Sequence, residues 1–106
     1  MDTLTILKKT RALIAEPGNW RRMIEADNRK KYAQPKKRDH RLDLDGALMI
    51  ASGKLQPVDA YRALDFRNDL ELGKWHDAKE RKHSDVIARL DAAIQLLEQA
   101  AASEAA

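Results

Sequence analysis

Apolar residues recur at helical spacing from the start of the chain. Leu4, Leu7 and Ile14, with Ile6 and Leu13 beside them, define one face, while Lys8, Lys9 and Arg11 fall among the polar positions. Asp2 can accept from the free amides of the first turn, and Pro17-Gly18 stops the helix because proline lacks the amide and disfavours helix in the residue before it. Between Asn19 and Ala26, Trp20, Met23 and Ile24 fit the stripe of a short helix capped by Asn19; a short strand fits as well. From Asp27 to Arg41 no periodic apolar face exists, and basic clusters repeat around Pro35, which predicts a long loop.

Asp43 predicts the cap of a second helix, Leu44 to Ser52. Its run Ala47-Leu48-Met49-Ile50-Ala51 is apolar nearly all round and therefore belongs at the centre of the domain. Gly53 suits the left-handed residue after its end. Pro57 opens a third helix at a favoured first-turn position, with Val58, Tyr61, Leu64 and Leu72 on its inner face, Ala60 and Phe66 beside it, and Gly73 as its terminator. In the last helix Ser84 or a neighbour is the cap, and Asp85 sits favourably at the positive dipole end. Val86, Ile87, Leu90, Ala93, Ile94 and Leu97 form one broad stripe there. The alanine-rich tail, 100–106, is expected to fray. The pattern predicts an all-α fold, a compact bundle of about four helices with a long basic loop (27–41), in a single domain spanning 1–106.

Composition narrows this picture. At 106 residues the chain has the length of one domain and buries roughly 65% of the surface its unfolded form exposes, enough for a small core. With 5% aromatic residues that core must be aliphatic, and with no cysteine, disulfides, thiol nucleophiles and cysteine-ligated zinc are excluded. No apolar run approaches the roughly 18 residues of a membrane span, and MDTLTILKKTR lacks the features of a secretory leader, so a cytoplasmic protein without membrane contact is expected. Charge is unevenly placed. Residues 21–41 carry nine Lys/Arg against three acids, a net +6, whereas 42–106 carry eight against twelve, a net −4. Such polarity implies either a polyanionic partner or internal pairing of the two parts.

The order of motifs resembles a family of small bacterial and phage-borne helical proteins of unknown function. The resemblance rests on Pro17-Gly18-Asn19-Trp20, on Gly46-Ala47-Leu48, and on Trp75-His76-Asp77 followed by a closing helix from Asp85 to Ile94. Members tend to carry Cys-x-x-Gly-Ala-Leu and Trp-Asn-Asp; here Asp43 stands at the cysteine and His76 at the asparagine. The resemblance implies a helical fold and brings no activity with it.

Candidate chemistry is sparse. Asp43-Leu44-Asp45-Gly46 echoes a calcium loop, but that register puts Arg41 at position one and Ser52 at position twelve, so capping is the better reading. His76, Glu80 and His83 would share a helix face, yet the two imidazoles would stand about 10 Å apart along the axis. With Lys79, Arg81 and Lys82 repelling a cation, a solvated charged turn is expected there and no metal. Only Ser52, Ser84 and Ser103 offer a serine hydroxyl, none in a nucleophile constellation; His40 beside Asp39 is expected to face water. Trp20 and Trp75 read as core anchors.

The basic segment remains. Arg21, Arg22, Arg29, Lys30, Lys31, Lys36, Lys37, Arg38 and Arg41 could contact phosphates, with Tyr32 available to stack on a base, although charge runs usually mark solvated surface. The expected function is a non-enzymatic binding protein, phage-associated, without cofactor. It would dock charged surfaces onto a protein or nucleoprotein, for example as an inhibitor of a host defence complex such as a CRISPR effector. Acidic residues Asp59, Asp65, Asp69 and Glu71 could then occupy a nucleic-acid channel of the target. The alternative is direct DNA or RNA binding through residues 21–41.

Overall fold

Asp2, in extended backbone, accepts from Thr5 N at 2.8 Å and starts α1, Thr3–Leu13. After a 3-10 turn at Pro17–Asn19 come α2 (Leu44–Ser52), α3 (Val58–Ala63), α4 (Asp69–His76) and α5 (His83–Ala105). The computed structural model describes residues 1–23 and 40–105. Among these the fold is all-α. Helix α1 packs on α2, α3 and α5, and α2 also meets α4.

The core is aliphatic. Leu7, Ile14, Leu44, Leu48, Leu64, Leu72 and Leu90 are fully buried, joined by Tyr61 and Phe66. Thr10 is also buried, and its hydroxyl donates to Ile6 O at 2.8 Å, which removes the cost of an unpaired polar group. The exposed pairs Lys8–Glu98 and Arg11–Asp91 link α1 to α5 at the surface, where such pairs are worth about 0–1 kcal/mol each. Apolar contact, with Val86, Leu90 and Ala93 against α1, holds the helices together.

Helix α2 follows its sequence signals. Asp43 accepts from Gly46 N at 2.7 Å, and a Cβ at Gly46 would stand 3.3 Å from the same carboxylate oxygen. Gly53 ends the helix at φ +70°, a left-handed conformation that costs a side-chain-bearing residue about 1–2 kcal/mol. Its burial is not all-round, however. Leu44, Ala47, Leu48 and Ala51 face the core while Ile50 is 59% exposed, because α1 and α4 cover only part of the α2 circumference.

The third helix of the sequence pattern is two helices. Helix α3 stops at Ala63, Asp65 takes a left-handed φ of +66°, and Phe66 N–H turns back to Tyr61 O at 2.8 Å. Arg89 Nε, from α5, donates to the freed Leu64 carbonyl at 2.9 Å. Asn68 then caps α4 by accepting from Glu71 N at 2.9 Å. Gly73 lies inside α4 and does not end it; its bare face allows the sulfur of Met23 to approach within 3.7 Å of where a Cβ would sit. Pro57 precedes α3 as its cap residue.

Two further differences concern α5. Its start is closed by Asp85, whose carboxylate accepts from Lys82 N at 2.9 Å, and Ser84 is exposed within the helix. Its end does not fray at residue 100. The helix runs to Ala105, since alanine has the highest intrinsic helix propensity, and Leu96 is 66% exposed where it leaves the core.

Replacing Leu48, fully buried between α1 and the rest of the core, by alanine is expected to cost about 2–5 kcal/mol in urea unfolding with an unchanged denaturant slope.

Candidate functional site

Trp20 and Leu42 form an isolated parallel bridge, with Arg21 N donating to Leu42 O at 3.1 Å and Leu42 N donating to Asn19 O at 2.8 Å. Residues 19–23 and 41–44 therefore lie side by side. They are two ends of one chain segment, and one side chain ties both of them to α4. The Nε2 of His76 accepts from the Trp20 indole N–H at 2.8 Å and from the backbone N–H of Leu44 at 3.3 Å.

Both partners are donors only, so Nε2 must be the acceptor and the ring proton sits on Nδ1. That nitrogen faces Asp77 Oδ1 at 3.0 Å, and the same oxygen accepts from Met23 N at 2.9 Å. His76 and Asp77 together thus hold Trp20, Met23 and Leu44. The imidazole is 0% exposed, so water does not compete for these bonds. The Trp20 ring meets His76 edge-on, centroids 5.4 Å apart, and its centroid lies 5.8 Å from that of His83. His83 Nε2 donates to Ile14 O at 2.6 Å, linking α5 to the end of α1.

The expectation of a solvated charged turn fails at its first residue. His76 occupies the position four after Leu72, and on a helix these share a face, so the fully buried Leu72 carries His76 inward with it. That spacing was the available signal. The turn beyond is held by arginines. Arg22 Nη2 donates to Lys79 O at 2.7 Å and Arg81 O at 3.1 Å, and Arg81 Nε donates to Trp75 O at 2.8 Å. The Arg81 guanidinium stands 4.2 Å above Trp75, and Arg89 stands 4.7 Å from Trp75 and 4.1 Å from Phe66. Burial pulls the Arg89 pKa down without depriving it of these aromatic faces. Both tryptophans pack against the core, in accord with their reading as anchors.

Of the basic residues singled out in the sequence, Arg21, Arg22 and Arg41 are described. Arg21 and Arg41 flank the bridge, half-buried, and Arg22 is engaged with the carbonyls named above. Arg29, Lys30, Lys31, Tyr32, Lys36, Lys37 and Arg38 lie outside the described residues, as does all of the expected loop except His40 and Arg41. His40 is exposed. On the acidic side, Asp59 and Asp65 are exposed, while Asp69 and Glu71 are half-buried. Glu71 accepts from Arg67 Nε at 2.8 Å, which lowers its pKa, and with Arg62 and Asp65 these residues line an open depression of about 520 Å³. That depression mixes both signs of charge.

Beside the clamp, Asp45 accepts from the Tyr61 hydroxyl at 2.6 Å. Burial raises the Asp45 carboxyl above its ordinary value, against the lowering effect of that hydrogen bond, with Asp43 and Asp69 pushing the same way as burial. Tyr61 is raised strongly, by burial first and by Asp45 second. Among the described residues no group of three or more His, Asp or Glu side chains is placed to hold a metal ion, and no helix is long and apolar enough to cross a membrane.

These features define a small all-α protein whose polar interior is a hydrogen-bonded clamp around one histidine. The chain belongs to a family of unknown function, DUF6197, whose model matches residues 1–96 and so takes in the whole core, leaving out the overhanging end of α5. No curated protein and no solved structure shows significant similarity to it.

Two outcomes are expected. Trp20→Phe and His76→Ala should couple by at least about 1 kcal/mol in a double-mutant cycle of unfolding free energies, because each removes the other's partner. For Asp45 the folded state binds the proton more tightly than the unfolded state, so wild-type stability gains from its protonation as pH falls through the raised pKa. The stability of Asp45→Asn relative to wild type should therefore be most favourable near neutral pH. It should decline as pH is lowered from about 7 to about 3 in parallel denaturation series.

Proposed function

We propose that this protein is a non-enzymatic docking protein that presents its basic segment, residues 21–41, to an anionic face of a protein or nucleoprotein partner. The observation that supports the reading is the clamp itself. Both ends of the segment meet at Trp20 and Leu42, and His76 and Asp77 secure them to α4 through Trp20, Met23 and Leu44. Fixing the ends at one place lowers the ordering entropy that binding must otherwise overcome, which is how a charged segment gains affinity without new contacts.

The two histidines around Trp20 favour binding over catalysis. His76 is enclosed with both ring nitrogens occupied, and His83 is committed to a backbone carbonyl, so neither stands ready to move a proton for a substrate. In its narrower form the proposal is a bacterial or phage-borne protein that inhibits a host defence complex, with the net +6 segment gripping one surface of the target.

Charge reversal at Lys36, Lys37 and Arg38 tests this reading. Capture of the specific partner from host extract, quantified by mass spectrometry against wild-type bait, should fall at least about tenfold while the helical circular dichroism is unchanged. Undiminished capture would contradict it. Direct nucleic-acid binding is separated by salt: neutralising about five phosphates gives a log–log slope near −4.5, a loss of roughly 500-fold between 50 and 200 mM. A slope of that size on mixed single- and double-stranded probes would assign the segment to nucleic acid instead.

A further inference from the structure

The clamp contains a titratable ring whose protonation state is dictated by its neighbours. We infer that His76 is a proton-operated latch: in the neutral state it ties the Trp20 indole and the start of α2 at Leu44 to α4, and a proton on Nε2 breaks both of those ties.

Donors and acceptors decide what the ring can hold. Trp20 Nε1 and Leu44 N both direct hydrogens at Nε2, at 2.8 and 3.3 Å. Neither group can accept. An imidazolium has a hydrogen on each nitrogen and no acceptor left, so protonation sets three donors against one another inside a site that water does not reach. The ring cannot keep these bonds and hold the proton together.

Other groups pull the opposite way. Asp77 Oδ1, 3.0 Å from Nδ1, is ready to pair with an imidazolium, and Asp45, with Asp43 beside it at the start of α2, adds negative potential. His83, its ring 5.8 Å from that of Trp20, opposes a further positive charge when it is itself protonated. His83 does not behave alike. Its Nε2 donates to Ile14 O, a bond that needs the proton and survives a second one on the other nitrogen.

Protonation leaves the Arg21–Leu42 and Leu42–Asn19 bonds intact, because neither involves His76. What lets go is the Trp20 indole and the Leu44 amide; the bond from Met23 N to Asp77 and those from Arg22 to Lys79 O and Arg81 O also leave His76 out and remain. The inference holds whether or not residues 21–41 dock onto a partner, since it concerns only the contacts that carry them.

The test is a pH titration of the full chain by NMR, following the ring nitrogens of His76, the Trp20 indole N–H and core amides of α5 such as Leu90. As pH falls from about 8 to about 4, the Trp20 indole proton should shift and lose protection from exchange with the midpoint of the His76 ring, not of His83, while the Leu90 amide stays put. His76→Gln places an untitratable amide near the site of Nε2 and should flatten the Trp20 response. Should that variant fail to fold, Trp20→Phe removes one of the opposing donors and should move the His76 titration to higher pH. The proposal is overturned if the ring takes up its proton with Trp20 unmoved, if it stays neutral until the whole chain unfolds, or if Trp20→Phe leaves its titration where it was.

Discussion

Two hydrogen bonds into a single buried nitrogen organise the polar half of this protein. The Nε2 of His76 is the acceptor for a side chain that precedes residues 24–39 and for a backbone amide that follows them. Leaving either donor without a partner in that enclosed position would cost about 1–3 kcal/mol, a large share of the stability of a domain this small. No alternative acceptor is needed while the ring is neutral, and Asp77 keeps it in the required tautomer by accepting a hydrogen bond from Nδ1–H.

The surrounding fold gives that nitrogen its fixed place. Helix α4 is short, but Leu72 buries one face of it and Asn68 caps it, so the position of His76 at its last turn is set by apolar packing. Beyond it, Arg22 and Arg81 satisfy carbonyls of the α4–α5 turn, and Arg81 and Arg89 lie against the aromatic faces of Trp75 and Phe66. The cationic side chains near the clamp therefore divide between two tasks: Arg22, Arg81 and Arg89 maintain the backbone, and the proposed docking role falls to the rest of the basic segment.

Local chemistry made much of this fold legible. Asp2, Asp43 and Gly53 act as the caps and terminator that their types and positions foretell, and the stripe from Val86 to Leu97 faces inward. What was illegible depends on partners distant in sequence. The break between α3 and α4 uses a non-glycine residue at positive φ, Asp65, and a carbonyl taken up by Arg89 from α5, neither of which a local pattern reveals. His76 read as solvated because its neighbours Lys79, Glu80, Arg81 and Lys82 are charged, whereas its donors come from positions 56 and 32 residues earlier. Ile50 read as buried from composition alone; only the arrangement of α1 and α4 around α2 exposes it.

Hydrogen exchange on His76→Ala is the decisive measurement. If one nitrogen secures both segments, its two donors, the Leu44 amide and the Trp20 indole N–H, should lose at least about tenfold more protection than the Leu90 amide, whose loss reports global destabilisation. Protection that falls equally at all three N–H groups, or not at all at Leu44, would refute it.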